Sequence, residues 1–245
     1  MYADPKKIKK HFQKSIDKYG TNAVVQKTMA EELSSLLEGE VFPCILELGA
    51  GTGFLTEQLA KKINFNKYFA NDLVEKSGVF VKKYVSTAEF QSGDFRKISF
   101  KKRFDLIAAN AVFQWFEDLD KILLFCYKNL NNQGILAFST FIPNNYKEIR
   151  DITGLTLKYK SVEELKKLLE KDFDIENIKQ REQILKFDNP LKVLAHMKNT
   201  GVNSLSDIPW TIKEVKNFCT KYQEKYPNIE LTYSYVLIIA KAKKN

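Results

Sequence analysis

A glycine-rich turn between a short apolar run and a helical segment constrains the fold of this chain more than any other feature. The apolar run at residues 44–48 is short enough for a buried strand, and a helix is predicted over 54–62, directly after the turn. Glycine allows positive φ angles and lets a ligand approach the backbone closely. Because ligands of open α/β sheets bind at the carboxyl ends of the strands, this turn predicts a ligand site at that edge of a sheet.

Apolar runs and helical patterns alternate along the rest of the chain. Further strands are predicted at residues 67–71, near 91, and at 104–110, 135–140, 175–187 and 231–240. Helices are predicted over 4–37 with a break at Gly20, and over 74–84, 118–130, 161–171, 190–198 and 211–225. This alternation predicts a Rossmann-like α/β fold: a seven-stranded, mostly parallel sheet with helices on both faces and a small helical insertion before the last strand.

The length of 245 residues fits one domain, 1–245. We divide it into an N-terminal helical lid (1–40), a core with the predicted ligand site (41–188), the helical insertion (189–227) and a last core strand (228–245). No apolar run approaches the roughly 20 residues needed to cross a bilayer, and no apolar segment follows the N-terminal lysines as it would in a signal peptide. We therefore expect a soluble, cytoplasmic protein with no membrane partner.

Composition narrows the classes of function. The three cysteines, Cys44, Cys126 and Cys219, are far apart, so we expect no Cys/His zinc site and free thiols in a reducing compartment. The net charge is +9, with 39 Lys plus Arg against 30 Asp plus Glu. This charge favours an acidic partner, or it reflects a lysine-rich proteome, since nearly all of the excess is lysine.

The spacing of the glycines distinguishes between cofactors. A dinucleotide-binding fingerprint, GxGxxG, needs Gly or Ala where this chain has Phe54. The pattern here is instead ExGxGxG, which resembles motif I of the class I S-adenosylmethionine methyltransferases. The resemblance implies S-adenosylmethionine as cofactor, bound by residues of the turn: Glu47, Gly49, Ala50, Gly51 and Gly53.

Acidic residues also follow the second and third strands, as this resemblance implies. Asp72, next to Leu73, would accept hydrogen bonds from the ribose hydroxyls. Asp94 would accept one from the adenine amino group, with Phe95 beside the base. Asn110, at the end of the fourth strand, completes the implied cofactor site. A single aspartate is more often a solvated loop residue, but acids at three successive strand ends favour a site.

The fourth strand runs into Ala111-Val112-Phe113-Gln114-Trp115. Methyltransferases that act on the exocyclic amines of nucleobases have Asn-Pro-Pro-aromatic at this place, and both prolines are absent here. We expect Phe113 in the core, and Gln114 and Trp115 facing the methyl-transfer cavity.

Several segments resemble a narrower family, the malonyl-acyl-carrier-protein O-methyltransferases of biotin synthesis. These segments are Phe12 to Tyr19 with Gln26 downstream, Asn110 to Trp115, Leu194 to Asn203 and Leu231 to Tyr233. The segment His196 to Asn203 is the most distinctive of them. Ser15 and Ile16 depart from the family, which usually has small alanines there.

The resemblance implies methylation of the free carboxylate of a malonyl thioester, carried by acyl carrier protein or by coenzyme A. A carboxylate is already ionised at neutral pH and needs no general base. Catalysis would come from alignment in a water-poor cavity. The candidates for catalysis and for binding the malonyl carboxylate are Tyr19, Gln114, Trp115, His196 and Arg150. For His196, a core or capping role is an equal alternative.

The resemblance also suggests a use for the basic surface. Acyl carrier protein is typically acidic, and a cluster near the N-terminus would attract it: Lys6, Lys7, Lys9, Lys10 and Lys14. A solvated lysine face is the alternative. Three other functions remain open: methylation of another small carboxylate or a quinone, nucleic-acid methylation, and a non-enzymatic cofactor-binding subunit. Few arginines and no RNA-binding appendage disfavour a nucleic-acid partner.

Overall fold

The computed structural model describes residues 5–200 and 210–243, with the side chains at 5–8, 11, 14, 15 and 17 excepted. Part of the predicted His196 to Asn203 segment, from Gly201 onward, therefore lies outside the described residues, as do the side chains of Lys6, Lys7 and Lys14. Within the described ranges, no helix combines the length and the apolar content needed to cross a membrane.

Seven strands form one sheet in the order β3-β2-β1-β4-β5-β7-β6. The strands are β1 Cys44–Leu48, β2 Lys67–Asp72, β3 Glu89–Ser92, β4 Phe104–Asn110, β5 Leu130–Phe141, β6 Phe173–Lys186 and β7 Glu230–Ala242. Strands β1 to β5 are parallel, and β7 is antiparallel to both of its neighbours. The predicted Rossmann-like, mostly parallel sheet is thus confirmed. The strand order reverses between β1 and β4, and this is the place where open α/β sheets bind ligands.

Nine α-helices surround the sheet in the described part of the chain. They are α1 Pro5–Asn22, α2 Val24–Ser35, α3 Phe54–Lys62, α4 Ser77–Tyr84, α5 Leu119–Asn129, α6 Lys147–Thr153, α7 Val162–Leu169, α8 Pro190–Asn199 and α9 Ile212–Lys225. Helices α8 and α9 lie between β6 and β7, at the place predicted for a helical insertion. The Ser161–Glu164 capping box of α7 is present, and Thr211 and Glu214 form a second one at α9.

Some boundaries differ from the predictions for identifiable reasons. Gly20 does not end the first helix, which continues to Asn22, whose side-chain amide bonds back to the Lys18 carbonyl. Helix α4 begins at Ser77 rather than near 74, because the Asp72 carboxylate accepts the backbone N–H of Val74. Strand β5 begins at Leu130, and the turn predicted before it is a bulge within the strand with Gln133 at φ 59°. Helix α6 was not predicted.

Alternate residues of the strands face two hydrophobic clusters, one on each side of the sheet. Along β4, Leu106 and Ala108 face the cluster that contains α2, α3, α8 and α9, whereas Ile107 and Ala109 face the cluster that contains α5 and α7. This two-sided burial explains why β1 and β4 are apolar almost throughout. Helix α2 lies near the carboxyl end of β4, where the Asn110 side chain donates to the Gln26 carbonyl, and Phe12 of α1 lies near Gly51, after β1.

Candidate active site

A cavity of about 360 Å³ opens at the carboxyl ends of the central strands. Its walls come from the loops after β1 and β2, the turn after β3, the segment after β4, and helices α1 and α2. Strand ends that are distant in the chain meet here because parallel strands present their carboxyl ends at one edge.

The loop after β1 forms one wall. Gly49 and Gly51 have positive φ angles of 68° and 56°. A Cβ at Gly49 would lie 2.5 Å from Cγ2 of Val112, and one at Gly51 would lie 3.3 Å from the Phe12 ring. A side chain is therefore disfavoured at Gly49 and Gly51 by both conformation and space. Gly53 has φ 79° at the start of α3, but it is not among the residues that line the cavity.

Asp72 links this loop to β2. Its two carboxylate oxygens accept the backbone N–H groups of Gly51, at 2.9 Å, and Val74, at 2.8 Å. The side chain is 6% exposed, and burial raises the pKa of the Asp72 carboxyl, with the two backbone hydrogen bonds opposing the shift. Asp72 and Leu73 both line the cavity.

Glu47, on β1, is buried and is among the residues that line the cavity. One carboxylate oxygen, Oε2, accepts hydrogen bonds from the hydroxyls of Thr56 and Tyr68, each at 2.6 Å. Burial raises the pKa of Glu47 to about 7, although these hydrogen bonds favour the ionised form. Glu47 therefore ties β1 to α3 and β2.

Asp94 and Phe95 line the far end of the cavity, after β3. The Asp94 carboxylate accepts two hydrogen bonds from the Arg96 guanidinium, at 2.8 and 2.6 Å, which lower the pKa of Asp94. The guanidinium lies 5.1 Å from the centre of the Phe116 ring. Arg96 was not assigned a role from the sequence, although its spacing two residues after Asp94 allows this pairing.

The segment after β4 forms the opposite wall. Asn110 donates to the backbone carbonyl of Gln26 at 2.9 Å and accepts from Ser139 at 2.6 Å, which attaches α2 to the sheet. Gln114 donates to the carbonyl of Ala111 at 2.6 Å. Asn110, Gln114 and Trp115 line the cavity, and Phe113 is buried in the core.

Tyr19 extends from α1 into the cavity. Its ring centre lies 5.0 Å from that of Phe12 and 6.1 Å from that of Phe54. Burial, followed by the nearby Asp72 charge, raises the pKa of Tyr19 well above its ordinary value. The phenol is therefore a neutral hydrogen-bond donor at physiological pH.

Two candidate residues do not line the cavity. The side chain of Arg150, on α6, pairs with Asp151 at 3.4 Å. His196, on α8, is buried with Nε2 2.6 Å from the Tyr233 hydroxyl. Burial lowers the pKa of His196 to about 4. The structure thus brings Tyr19, Gln114 and Trp115 together but leaves His196 and Arg150 outside.

Comparison with known proteins identifies relatives along nearly the whole chain. A malonyl-[acyl-carrier protein] O-methyltransferase of Calditerrivibrio nitroreducens is 38% identical over 96% of this chain and 97% of its own length. One from Bacteroides thetaiotaomicron is 35% identical over 97% and 98%. This chain belongs to the malonyl-[acyl-carrier protein] O-methyltransferase family. A family model described as a methyltransferase domain also matches residues 46–138.

Solved structures agree on the fold of this malonyl-[acyl-carrier protein] O-methyltransferase family member. The N-methyltransferase NodS of Bradyrhizobium japonicum, solved with S-adenosyl-L-homocysteine, superimposes with a TM-score of 0.55 over 97% of this chain and 99% of its own, at 13% identity. The protein is an S-adenosylmethionine-dependent methyltransferase.

The residues of the cavity fit this cofactor. Four buried side-chain oxygens in the described part of the chain have no hydrogen-bond partner, and two of them, Gln26 Oε1 and Thr52 Oγ1, belong to residues that line the cavity. Unpaired buried polar atoms are costly unless a ligand satisfies them. The cavity of about 360 Å³ beside Gly49 and Gly51 provides the space for the cofactor.

Proposed function

We propose that this enzyme methylates the free carboxylate of malonyl-acyl carrier protein, the first step toward the pimeloyl precursor of biotin. The observation that carries this proposal is the 38% identity, over nearly the full length of both chains, to an enzyme named for that reaction. Malonyl-CoA is the alternative carrier. We further propose that the enzyme acts in the cytoplasm and has no nucleic-acid or membrane partner.

The cofactor would lie along the carboxyl ends of β3, β2, β1 and β4. Asp94 and Phe95 would bind the adenine, and Asp72 with Leu73 would bind the ribose. The loop from Gly49 to Gly51 would face the cofactor. Glu47 would support this loop, and Gly53 would connect it to the start of α3. Asn110 would lie at the methionine end of the cofactor. When bound, S-adenosylmethionine supplies a methyl group activated by its sulfonium. Helices α1 and α2 would act as a lid, since Phe12, Tyr19 and Gln26 line the cavity.

The described cavity wall suits an acceptor that needs no deprotonation. It contains neither a histidine nor a cysteine among the residues that the structure describes. A carboxylate is ionised at neutral pH and can attack the methyl group directly. The residues therefore have to orient the carboxylate and exclude water rather than remove a proton.

Tyr19 and Gln114 are the proposed donors to the malonyl carboxylate. The Tyr19 phenol stays protonated, and the Gln114 amide has a second N–H beyond the one bound to Ala111. Trp115 would contribute an apolar wall beside them. His196 would act indirectly through Tyr233, and Arg150 would need to leave Asp151 to take part.

The basic face of α1 would attract acidic acyl carrier protein. Lys9 and Lys10 have exposed side chains on this helix. Opposite charges on two partners accelerate their encounter and select the correct one. The lysines near the cavity would thus favour a protein-bound thioester.

The test is methyl transfer from radiolabelled S-adenosylmethionine to malonyl-acyl carrier protein, compared with malonyl-CoA and with acetyl- and succinyl-loaded carrier. The expected result is label on the malonyl carrier, released by mild base as expected for a methyl ester. Label on succinyl carrier with equal efficiency, or no label on any malonyl thioester while the cofactor binds, would refute the proposal.

A further inference from the structure

The guanidinium of Arg96 contacts two other residues of the cavity wall, Asp94 and Phe116. Its Nε donates to Oδ1 of Asp94 at 2.8 Å, and its Nη2 donates to Oδ2 at 2.6 Å. These paired hydrogen bonds match the planar guanidinium to the planar carboxylate and fix their relative orientation. The Cζ atom lies 5.1 Å from the centre of the Phe116 ring, within the range of a cation–π interaction. Arg96 is therefore anchored both by an anion and by an aromatic ring.

The same hydrogen bonds fix the Asp94 side chain. The backbone N–H of Arg96 also donates to Oδ1, at 3.1 Å, so Oδ1 accepts two hydrogen bonds and Oδ2 accepts one. A carboxylate oxygen can accept about two. The hydrogen bonds from Arg96 lower the pKa of the Asp94 carboxyl, so the group is ionised at neutral pH and only accepts hydrogen bonds. Asp94 thus has one acceptor position left, and it is on Oδ2.

The open position on Oδ2 suits one feature of an adenine base. The exocyclic amino group of adenine donates hydrogen bonds, whereas hypoxanthine has an acceptor oxygen at the same place. An ionised carboxylate attracts the first group and repels the second. Such a contact depends on direction, because a hydrogen bond weakens steeply as its angle departs from linearity. A residue that fixes the Asp94 carboxylate therefore affects how well the site distinguishes the two bases.

We propose that Arg96 is a positioning residue of the cofactor site, which holds the Asp94 carboxylate so that Oδ2 accepts the exocyclic amino group of adenine. This assignment rests on the placement of adenine at Asp94 given under the proposed function, but not on the identity of the methyl acceptor. Arg96 acts through Asp94 and need not contact the base. Without the guanidinium, the Asp94 side chain would have to be ordered when the cofactor binds, and that ordering weakens binding.

The test measures binding of two ligands by isothermal titration calorimetry, with no methyl acceptor present. S-Adenosylhomocysteine has the amino group, and S-inosylhomocysteine has an oxygen in its place. In Arg96→Met, we expect affinity for S-adenosylhomocysteine to fall about fivefold or more, whereas affinity for S-inosylhomocysteine stays within about twofold of the wild-type value. Arg96→Lys keeps the charge and a donor but not the paired geometry, so it should recover part of the lost affinity.

A double mutant tests whether Arg96 acts through Asp94. In an Asp94→Ala background, adding Arg96→Met should cause no further loss of affinity for S-adenosylhomocysteine, because the carboxylate that Arg96 positions is already absent. A loss as large as that in the wild-type background would overturn the proposal, since Arg96 would then contact the ligand itself. Equal losses for both ligands in Arg96→Met would also overturn it, because they would indicate a packing role.

Arg181→Met is the matched control. Arg181, on β6, pairs with Glu32 at 3.4 Å, and its side chain is 45% exposed against 40% for Arg96. It is not among the described residues that line the cavity, so its replacement should change neither affinity. A similar loss in Arg181→Met would overturn the assignment to Arg96. Since no acyl acceptor is used, failure of the malonyl assignment would leave all of these results unchanged.

Discussion

The phenolic oxygen of Tyr233 lies 2.6 Å from Nε2 of His196, and both side chains are buried. Tyr146 donates to the same phenolic oxygen at 2.9 Å. The Tyr233 hydroxyl can in turn donate to His196 in the neutral tautomer that leaves Nε2 unprotonated. This chain of hydrogen bonds joins α8 to β7, and it makes His196 a neutral residue of the core rather than a cation that binds a carboxylate.

The neutral state of His196 predicts a specific loss of stability in acid. Its pKa is about 4 in the folded protein against an ordinary 6.5, so only the unfolded chain takes up a proton between these values. The contribution of His196 to the free energy of unfolding is fully present above pH 6.5. It falls as the pH decreases and levels off below about pH 4. At pH 5 the loss should be about 2 kcal/mol. Urea denaturation of wild type and His196→Gln at pH 8 and pH 5 isolates this contribution, and parallel pH dependences in the two proteins would contradict it.

For Glu47 we expect the opposite pH dependence, a loss of stability as the pH rises. Its pKa is about 7 in the folded protein, above the ordinary 4.5, so its contribution to stability is present below pH 4.5 and is lost as the pH rises through 7. Gln cannot ionise but still offers an acceptor to Thr56 and Tyr68. Glu47→Gln should therefore gain about 2–3 kcal/mol relative to wild type between pH 5 and pH 8. The measurement is again chemical denaturation, and a pH-independent difference would show that Glu47 is ionised throughout.

Alanine substitutions at Gly49 and Gly154 separate two costs to stability, that of a left-handed backbone and that of a steric clash. Their φ angles are 68° and 70°, but a Cβ meets Val112 at 2.5 Å in the first case and nothing within 4 Å in the second. Gly154→Ala should cost about 1 kcal/mol from the left-handed backbone alone. Gly49→Ala should cost about 1–3 kcal/mol more, because it adds overpacking. Adding Val112→Ala to Gly49→Ala should restore part of the lost stability, as measured by thermal denaturation. An equal loss of stability in Gly49→Ala and Gly154→Ala would rule out the clash with Val112.

We expect the Tyr19 hydroxyl to contribute to binding of the methyl acceptor but not to binding of the cofactor. Tyr19→Phe keeps the ring contacts with Phe12 and Phe54 but removes the hydroxyl. Loss of a hydrogen bond to a charged group should raise the KM for malonyl-acyl carrier protein about tenfold. The Kd of S-adenosylhomocysteine should stay within about twofold. An unchanged KM would remove Tyr19 from the carboxylate site.

Salt dependence tests the docking role of the exposed lysines. If Lys9 and Lys10 attract the carrier, raising the ionic strength from about 0.05 to 0.3 M should increase the KM for malonyl-acyl carrier protein about threefold or more, since added salt shortens the range of the attraction. Lys10→Gln should reduce this salt dependence. An equal increase of the KM with salt in wild type and Lys10→Gln would favour a solvated lysine face instead.

Local patterns in the sequence predicted much of the scaffold. The bounds of β1, α3 and β4 were predicted correctly because apolar runs, glycines and helical periodicity lie within a few residues of each other. The same holds for the Ser161–Glu164 capping box, in which donors and acceptors are three residues apart. By contrast, α6 was missed because it is short and is held by distant contacts, such as that of the buried Glu148 carboxylate with the backbone N–H of Thr232.

The sequence by itself determined the type of fold, the glycine turn, the acids at the strand ends and the family to which the chain belongs, because each of these depends on neighbouring residues or on whole segments. Only the tertiary structure decided which side chains share the cavity. It placed Tyr19 and Gln114 there, left His196 and Arg150 outside, and paired Arg96 with Asp94. It also showed the unpaired oxygen of Gln26. These relations depend on residues brought together by sheet order and helix packing, which no local pattern contains.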